Sequence, residues 1–218
     1  MNTKAGESAP AGSGVDAERV AGAVAATASA PVRVKPFAQT SSRPRAIVFT
    51  ALCIAIMAVS AWITVPLGPI PFTLQMFAVT FAIQVLPPRQ CIGAVAGYLA
   101  LGAIGVSVFS GMRGGIGVLL GPTGGFLWGY LLGVSAAAAL LALFRSRGID
   151  NFATGVAAGI VFTAIAYVCG WAQYMVVADV DALASFLVTV APFVLVDLAK
   201  IVAAVACARM VIRAVPQR

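Results

Sequence analysis

The fold of this chain is decided by the stretch Gly102-Ala-Ile-Gly105-Val-Ser-Val-Phe-Ser-Gly-Met-Arg113-Gly-Gly-Ile-Gly-Val-Leu-Leu-Gly-Pro-Thr123-Gly-Gly125, which holds nine of the 22 glycines. Glycine permits positive φ and close backbone approach, so the stretch predicts an irregular loop between long apolar helices. Irregular backbone at membrane depth is tolerated only where it is buried in protein or lines a cavity. The stretch therefore predicts a cavity, with Arg113, its one cation, at the mouth.

The stretch has two other interpretations. A flexible solvent loop is one, because glycine is common in loops. A solvated linker would lack the large apolar side chains present here, namely Ile116, Val118, Leu119 and Leu120. A nucleotide-binding loop is the other, but the stretch lacks the Lys of a Walker A motif and the third glycine of a dinucleotide fingerprint.

The composition is that of a membrane protein. Of 218 residues, 61% are hydrophobic and only 10% are charged, whereas about 25% of a soluble domain is charged. One helical bundle accounts for this length. The net charge of +7 could suggest nucleic acid as a partner, but the basic residues cluster at the ends of apolar segments. That pattern sets membrane topology, so no nucleic-acid binding is predicted.

The inventory of reactive side chains excludes several classes of function. The chain has no His and four scattered cysteines, Cys53, Cys91, Cys169 and Cys207, with no C-x-x-C pair. A zinc site and a Cys-His nucleophile are therefore excluded, and the cysteines are interpreted as small packing residues. No metal, no cofactor and no enzymatic activity are predicted.

Six apolar segments predict an all-α polytopic membrane bundle of six transmembrane helices, since each is long enough to enter or cross a bilayer core of about 30 Å. The predicted spans are residues 46–65, 72–86, 91–109, 125–144, 152–178 and 182–212. The last is expected to bend or begin near Pro192. Residues 1–45, rich in Ala, Gly, Ser and Pro, predict a disordered tail, and residues 213–218 a short second tail.

The distribution of cations predicts the orientation. With six spans both termini lie on one side, and that side carries 12 Lys and Arg residues against Arg113 alone on the other. Lys and Arg are enriched on the cytoplasmic side. We therefore expect cytoplasmic N and C termini and a site that opens outward, in a bacterial plasma (inner) membrane.

Asp197 and Lys200 are the ionisable pair deep within a span. Lys200 precedes Arg209 at the inner boundary by nine residues, which places it about 14 Å into the membrane. A spacing of three puts both side chains on one helix face. They could form a structural ion pair, but intramembrane charges usually face a bundle interior or a cavity, which favours a ligand site.

The chemistry of this pair suggests a kind of ligand. Asp accepts and Lys donates hydrogen bonds, so a neutral planar group with both N–H and C=O, such as a urea, would satisfy both. A ligand carboxylate would instead require an unpaired cation, and Arg113 is available nearer the mouth. The ligand is therefore expected to be elongated, with a polar head buried deep and an acid tail outward.

Further candidates for the site are Gln75 at the outer start of the second span, Tyr98 in the third, Thr123 just before the fourth and Trp171 in the fifth. For Tyr and Trp the alternative is an interfacial aromatic belt. Ala51 and Ala55 form a small-xxx-small pair, which could dock another helix in this bundle or in a partner.

Four motifs resemble the BioY family of substrate-binding (S) components of energy-coupling-factor transporters for biotin. They are Pro71-Phe-Thr-Leu-Gln75, Leu101-Gly-Ala-Ile-Gly105, Gly117-Val-Leu-Leu-Gly-Pro-Thr-Gly-Gly125 and Asp197-Leu-Ala-Lys200. The resemblance covers about residues 46–212 and leaves the tail outside.

The resemblance implies a high-affinity biotin-binding membrane protein with six helices, cytoplasmic termini and an outward-facing site capped by the first and third connecting loops. Asp197 and Lys200 would hold the ureido ring of biotin. Small residues of the first helix, here Ala51 and Ala55, would dock on a transmembrane coupling (T) subunit that carries two ATPases. The chain itself has no Walker motif.

Three other functions stay open from the sequence. A solitary proton-coupled transporter would use Asp197 as its proton carrier. An S component for another vitamin would differ in competition binding, and a membrane scaffold would bind no ligand.

Overall fold

The computed structural model describes residues 43–65 and 70–214, which are mostly helical. The helices are α1 (Arg43–Trp62), α2 (Gln75–Val85), α3 (Pro88–Ala103), α4 (Ile116–Leu120), α5 (Gly124–Ser146), α6 (Phe152–Ala178), α7 (Ala182–Thr189) and α8 (Val194–Ala214). Two short antiparallel strands, β1 (Thr64–Val65) and β2 (Phe72–Thr73), lie between α1 and α2.

The long helices have the apolar exterior of a membrane protein. Among the described residues, α5 and α6 are each long and apolar enough to cross a bilayer, and α7 with α8, bent by 43°, could form a third span. The helices α1 and α2 contribute shorter apolar stretches. Large apolar side chains such as Val176 and Leu195 are 75% and 81% exposed, as expected where lipid replaces water as the solvent.

The helix boundaries agree with the predicted spans in the second half of the chain and differ in the first. The span predicted at 152–178 coincides with α6, and the predicted break near Pro192 separates α7 from α8. The third span was predicted to reach Phe109, which is wrong, because α3 ends at Ala103. The backbone at Gly105 has φ 107°, a left-handed conformation that cannot continue a helix.

The glycine-rich stretch is largely the irregular segment that was predicted, and it also contains the short helix α4. Its carbonyl groups are bonded to the bundle: the Gln173 side chain donates to Leu119 O and Gly121 O at 2.9 and 2.7 Å. Gly115 N also donates to Gly102 O at 2.6 Å. These bonds argue against the alternative of a solvated linker.

The helices α5 and α6 pack closely through glycines spaced four apart. A Cβ added at Gly125, Gly129 or Gly133 would lie 2.3 to 2.7 Å from the backbone of α6. Small residues at this spacing let two helix backbones approach, as in other membrane bundles. The packed pair of α5 and α6 forms one side of the cavity described below.

The other half of the cavity is built by α2 and α8. The strand β2 leads directly into α2, and α2 packs along α8. At Gly155 and Gly159 the backbone of α6 lies close to side chains of both α2 and α8. At the far end of the bundle, Asp150 pairs with Arg145 at 3.4 Å and Arg209 at 3.2 Å. These pairs tie α5 to α8.

The structure describes only a small part of the two predicted tails. The helix α1 begins at Arg43 and α8 ends at Ala214. The tail predicted at 1–45 lies outside the described residues except for its last three, as do residues 66–69 of the first loop and 215–218 at the C terminus.

Candidate functional site

A cavity with about 640 Å³ of free space, counting its open mouth, lies between the β1–β2 hairpin, the glycine-rich stretch and helices α2, α5, α6 and α8. Six aromatic residues line its walls, Phe72, Phe109, Phe126, Tyr130, Tyr167 and Phe193. The polar residues on its surface are Thr73, Gln75, Ser110, Arg113, Thr123, Thr189, Asp197 and Lys200.

Asp197 and Lys200 lie together on the surface of this cavity, as their spacing predicted. Lys200 Nζ donates to Asp197 Oδ1 at 2.8 Å, and the two residues are 8% and 4% exposed respectively. Asp197 lies in the first turn of α8, immediately after the break. A buried pair of this kind is tolerated only when further hydrogen bonds satisfy its remaining polar atoms.

The β1–β2 hairpin supplies part of that support. Lys200 Nζ also donates to Thr73 O at 2.7 Å and lies 3.5 Å from the centroid of the Phe72 ring. The Phe72 ring in turn stacks on Phe193, with centroids 6.3 Å apart. The hairpin therefore fixes the ammonium group through a carbonyl oxygen and a cation–π contact.

Tyr167 supports the carboxylate from α6. Its hydroxyl donates to Asp197 Oδ2 at 2.6 Å, and its ring lies on the cavity wall. The sequence reasoning missed this residue. The available signal was a tyrosine in the middle of an apolar helix, where a buried hydroxyl needs a polar partner.

The pair keeps unused hydrogen-bonding capacity toward the cavity. A carboxylate has about four acceptor positions and an ammonium three N–H groups. Lys200 and Tyr167 use two of the acceptor positions, while Asp197 and Thr73 use two of the N–H groups. About two acceptor positions and one N–H remain. A small ligand with two N–H groups beside one C=O would complement them.

Three other predicted residues also line the cavity. Gln75 is the first residue of α2 and is 4% exposed. Thr123 precedes α5, and its hydroxyl makes no capping bond with that helix. Arg113 is exposed, with its Nε donating to Ser110 O at 3.2 Å. Its exposure is consistent with the mouth position that was predicted.

Two predicted residues are not among those that line the cavity. Tyr98 is fully buried behind Gln75, whose Nε2 donates to the Tyr98 hydroxyl at 2.6 Å. Trp171 lies within α6 and contacts α7: its indole N–H donates to Ala182 O at 2.9 Å and its ring packs on Phe186. The sequence could not distinguish these positions, because neither residue's direction from its helix was known.

These features define the class of protein: a helical membrane protein with a cavity whose lining combines a buried ion pair with aromatic side chains. The chain belongs to the BioY family, whose model matches residues 30–217.

Named relatives and a solved structure agree with this assignment. A biotin transporter BioY of Thermotoga maritima is 41% identical over 158 residues, which cover 72% of this chain and 87% of that protein. A probable biotin transporter BioY of Pyrococcus horikoshii is 34% identical over 155 residues, or 71% and 88% of the two chains. The crystal structure of the S-component for biotin from an ECF-type ABC transporter matches with a TM-score of 0.74. That match covers 80% of this chain and 95% of the other at 20% identity, so it shows the shared fold.

Proposed function

We propose that this chain binds biotin and serves in its uptake as the S component of an energy-coupling-factor transporter. The observation that carries the proposal is the Asp197–Lys200 pair with its unused capacity. The ureido ring of biotin has two N–H donors and one C=O acceptor, which match the carboxylate and ammonium positions left free. The relatives described above are named biotin transporter BioY and probable biotin transporter BioY, which supports the same ligand.

The rest of the cavity suits the rest of the ligand. With the ureido ring on Asp197 and Lys200, the fused apolar ring would lie between aromatic side chains such as Phe72 and Tyr167. The valerate chain would then extend toward the mouth, where the Arg113 guanidinium is an available partner for its carboxylate. Thr123 and Gln75 would supply hydrogen bonds along the way.

The chain is a transport protein and not an enzyme, and the proposed site binds and releases its ligand without breaking bonds. We propose that ATP is hydrolysed by partner subunits joined to the chain through a transmembrane T subunit. Ala51 and Ala55 are the proposed docking residues, because both are exposed on α1 and are small enough for close helix approach.

The proposed topology has six spans, with α7 and α8 together forming the last, in a bacterial plasma membrane. Both termini would be cytoplasmic, which puts the Arg145, Asp150 and Arg209 cluster at the inner end of the bundle. The mouth of the cavity and Arg113 would then face outward. The charge distribution supports this orientation.

Equilibrium binding of biotin to the purified protein tests the function. We expect saturable binding, and we expect biotin methyl ester to bind more weakly because it lacks the carboxylate. In Arg113→Ala the two ligands should bind with similar affinity, whereas Arg147→Ala should behave as wild type. Absence of biotin binding would refute the proposal. Uptake into vesicles that contain no ATPase, abolished by an uncoupler, would instead indicate a proton-coupled solitary transporter.

A further inference from the structure

Tyr98 connects the cavity wall to the α3–α4 loop, residues 104–115. The residue lies in α3, is fully buried and has two hydrogen bonds through its hydroxyl group. Gln75 Nε2 lies 2.6 Å from the hydroxyl oxygen on the cavity side, and Val108 O lies 2.8 Å from it on the loop side. One buried oxygen atom therefore touches both a cavity-lining side chain and the backbone of the loop.

The direction of these two hydrogen bonds is fixed by chemistry. A carbonyl oxygen can only accept, so the single hydroxyl proton of Tyr98 is donated to Val108. The other contact must then be an N–H donated by Gln75, which directs the Gln75 Oε1 atom away from Tyr98. That oxygen lies 3.4 Å from the Thr73 hydroxyl. Tyr98 thus determines how the Nε2 and Oε1 atoms of the Gln75 amide are oriented toward a ligand.

The loop is held at the point where it contributes to the cavity. Phe109 follows Val108, lines the cavity, and packs edge-on against Tyr98 with ring centroids 5.5 Å apart. The Phe109 ring fills the space that a side chain at Gly102 would need, since a Cβ there would lie 2.0 Å from it. Phe109 N also donates to Arg113 O at 2.9 Å. The Tyr98 hydroxyl therefore anchors the segment that carries both the aromatic wall and the cation at the mouth.

We propose that Tyr98 is a positioning residue that couples Gln75 to the α3–α4 loop and so controls how long the ligand is retained. The identity of the ligand used to test it rests on the proposed function. Removing the hydroxyl leaves the Val108 carbonyl without its donor and lets the Gln75 amide rotate. The loop then opens more often, and the ligand dissociates faster while its rate of association changes little.

The test compares Tyr98→Phe with Tyr174→Phe, which removes the hydroxyl of another buried tyrosine that does not line the cavity. Biotin dissociation rates are measured by stopped flow, and amide hydrogen exchange of residues 106–113 is measured without ligand. In Tyr98→Phe we expect dissociation about three- to tenfold faster, the loss equivalent to one neutral hydrogen bond, and faster exchange of the loop. Tyr174→Phe should match wild type in both. Unchanged dissociation and unchanged loop exchange in Tyr98→Phe would overturn the proposal.

A second pair of variants separates coupling from general destabilisation. Tyr98→Phe is introduced into a Gln75→Met background, where the chain of hydrogen bonds is already cut at its first step. We expect Tyr98→Phe to accelerate dissociation by a smaller factor there than in the wild type. Equal factors in the two backgrounds would overturn the coupling. If wild-type protein does not bind biotin at all, the proposed function fails, and loop exchange in ligand-free Tyr98→Phe still decides this proposal.

Discussion

Replacing Asp197 by Asn tests the role of the ion pair most directly. The carboxylate accepts from Lys200 Nζ at 2.8 Å and from the Tyr167 hydroxyl at 2.6 Å, and it is the proposed acceptor for the ureido N–H groups. The amide keeps the shape, but it removes the negative charge and turns one acceptor into a donor. Hydrogen bonds to charged groups contribute about 1.5–3 kcal/mol each, so loss of one to the ligand weakens biotin binding roughly 10- to 150-fold.

Loss of folding stability is the confounding effect, because breaking a buried pair leaves one charge uncompensated. Lys200→Met should weaken binding in the same way, by leaving Asp197 unpaired. The double variant Asp197→Asn/Lys200→Met removes both charges and should regain much of the thermal stability that either single variant loses. It should not regain biotin affinity, since both proposed ligand contacts are gone.

Each variant is assayed for thermal unfolding and for equilibrium biotin binding. Asp150→Asn is the matched control, because it disrupts the pairs with Arg145 and Arg209 at a distance from the cavity lining. It should lower thermal stability and leave affinity near wild type. Near wild-type affinity in a folded Asp197→Asn/Lys200→Met double variant would refute the assignment of the pair to the ligand.

Three further outcomes are expected. In a background without native cysteines, a cysteine at position 113 should react with an impermeant reagent added outside cells, and one at position 147 should react only after permeabilisation, as the cation distribution requires. Replacing Ala51 and Ala55 together by Trp should prevent co-purification with partner subunits and leave biotin binding intact, since close helix approach needs small side chains. Gly125→Ala should lower the thermal unfolding temperature, because its Cβ would lie 2.3 Å from a carbonyl oxygen of α6.

Matched controls make these outcomes decisive. Ala164→Trp places the same bulk on an exposed position of α6 and should leave the complex with partner subunits intact. Gly117→Ala adds a Cβ that meets no atom within 4 Å and should not lower the unfolding temperature. Labelling at position 147 from outside, an intact complex in the Ala51 and Ala55 double variant, or an unchanged unfolding temperature in Gly125→Ala would contradict the respective prediction.

The sequence predicted the parts of the site that depend on the spacing of nearby residues. Asp197 and Lys200 are three residues apart, so their common helix face followed from helix geometry alone. The composition of the glycine-rich stretch predicted irregular backbone, and the cavity lies beside that stretch. Pro192 marked the break between α7 and α8 because proline interrupts a helix.

The parts that the sequence did not predict depend on contacts between distant segments. Tyr167 reaches Asp197 across 30 positions of the chain, and Thr73 O reaches Lys200 across 127. No local pattern specifies such pairs. Tyr98 and Trp171 were predicted for the site as polar aromatic residues within the spans, but helix rotation directs one behind Gln75 and the other toward α7.

The break between α7 and α8 also has an electrostatic consequence. Because α8 starts at Val194, the Asp197 carboxylate lies in the first turn of a helix. The backbone dipoles of α8 add to a partial positive charge at that end, which stabilises an anion held there. In a single uninterrupted helix the same residue would lie in mid-span, without this field and with only Lys200 and Tyr167 to compensate its charge. Membrane transporters of other folds use interrupted helices in this way to hold ions at depth. The bend is therefore part of what stabilises a carboxylate group at this position.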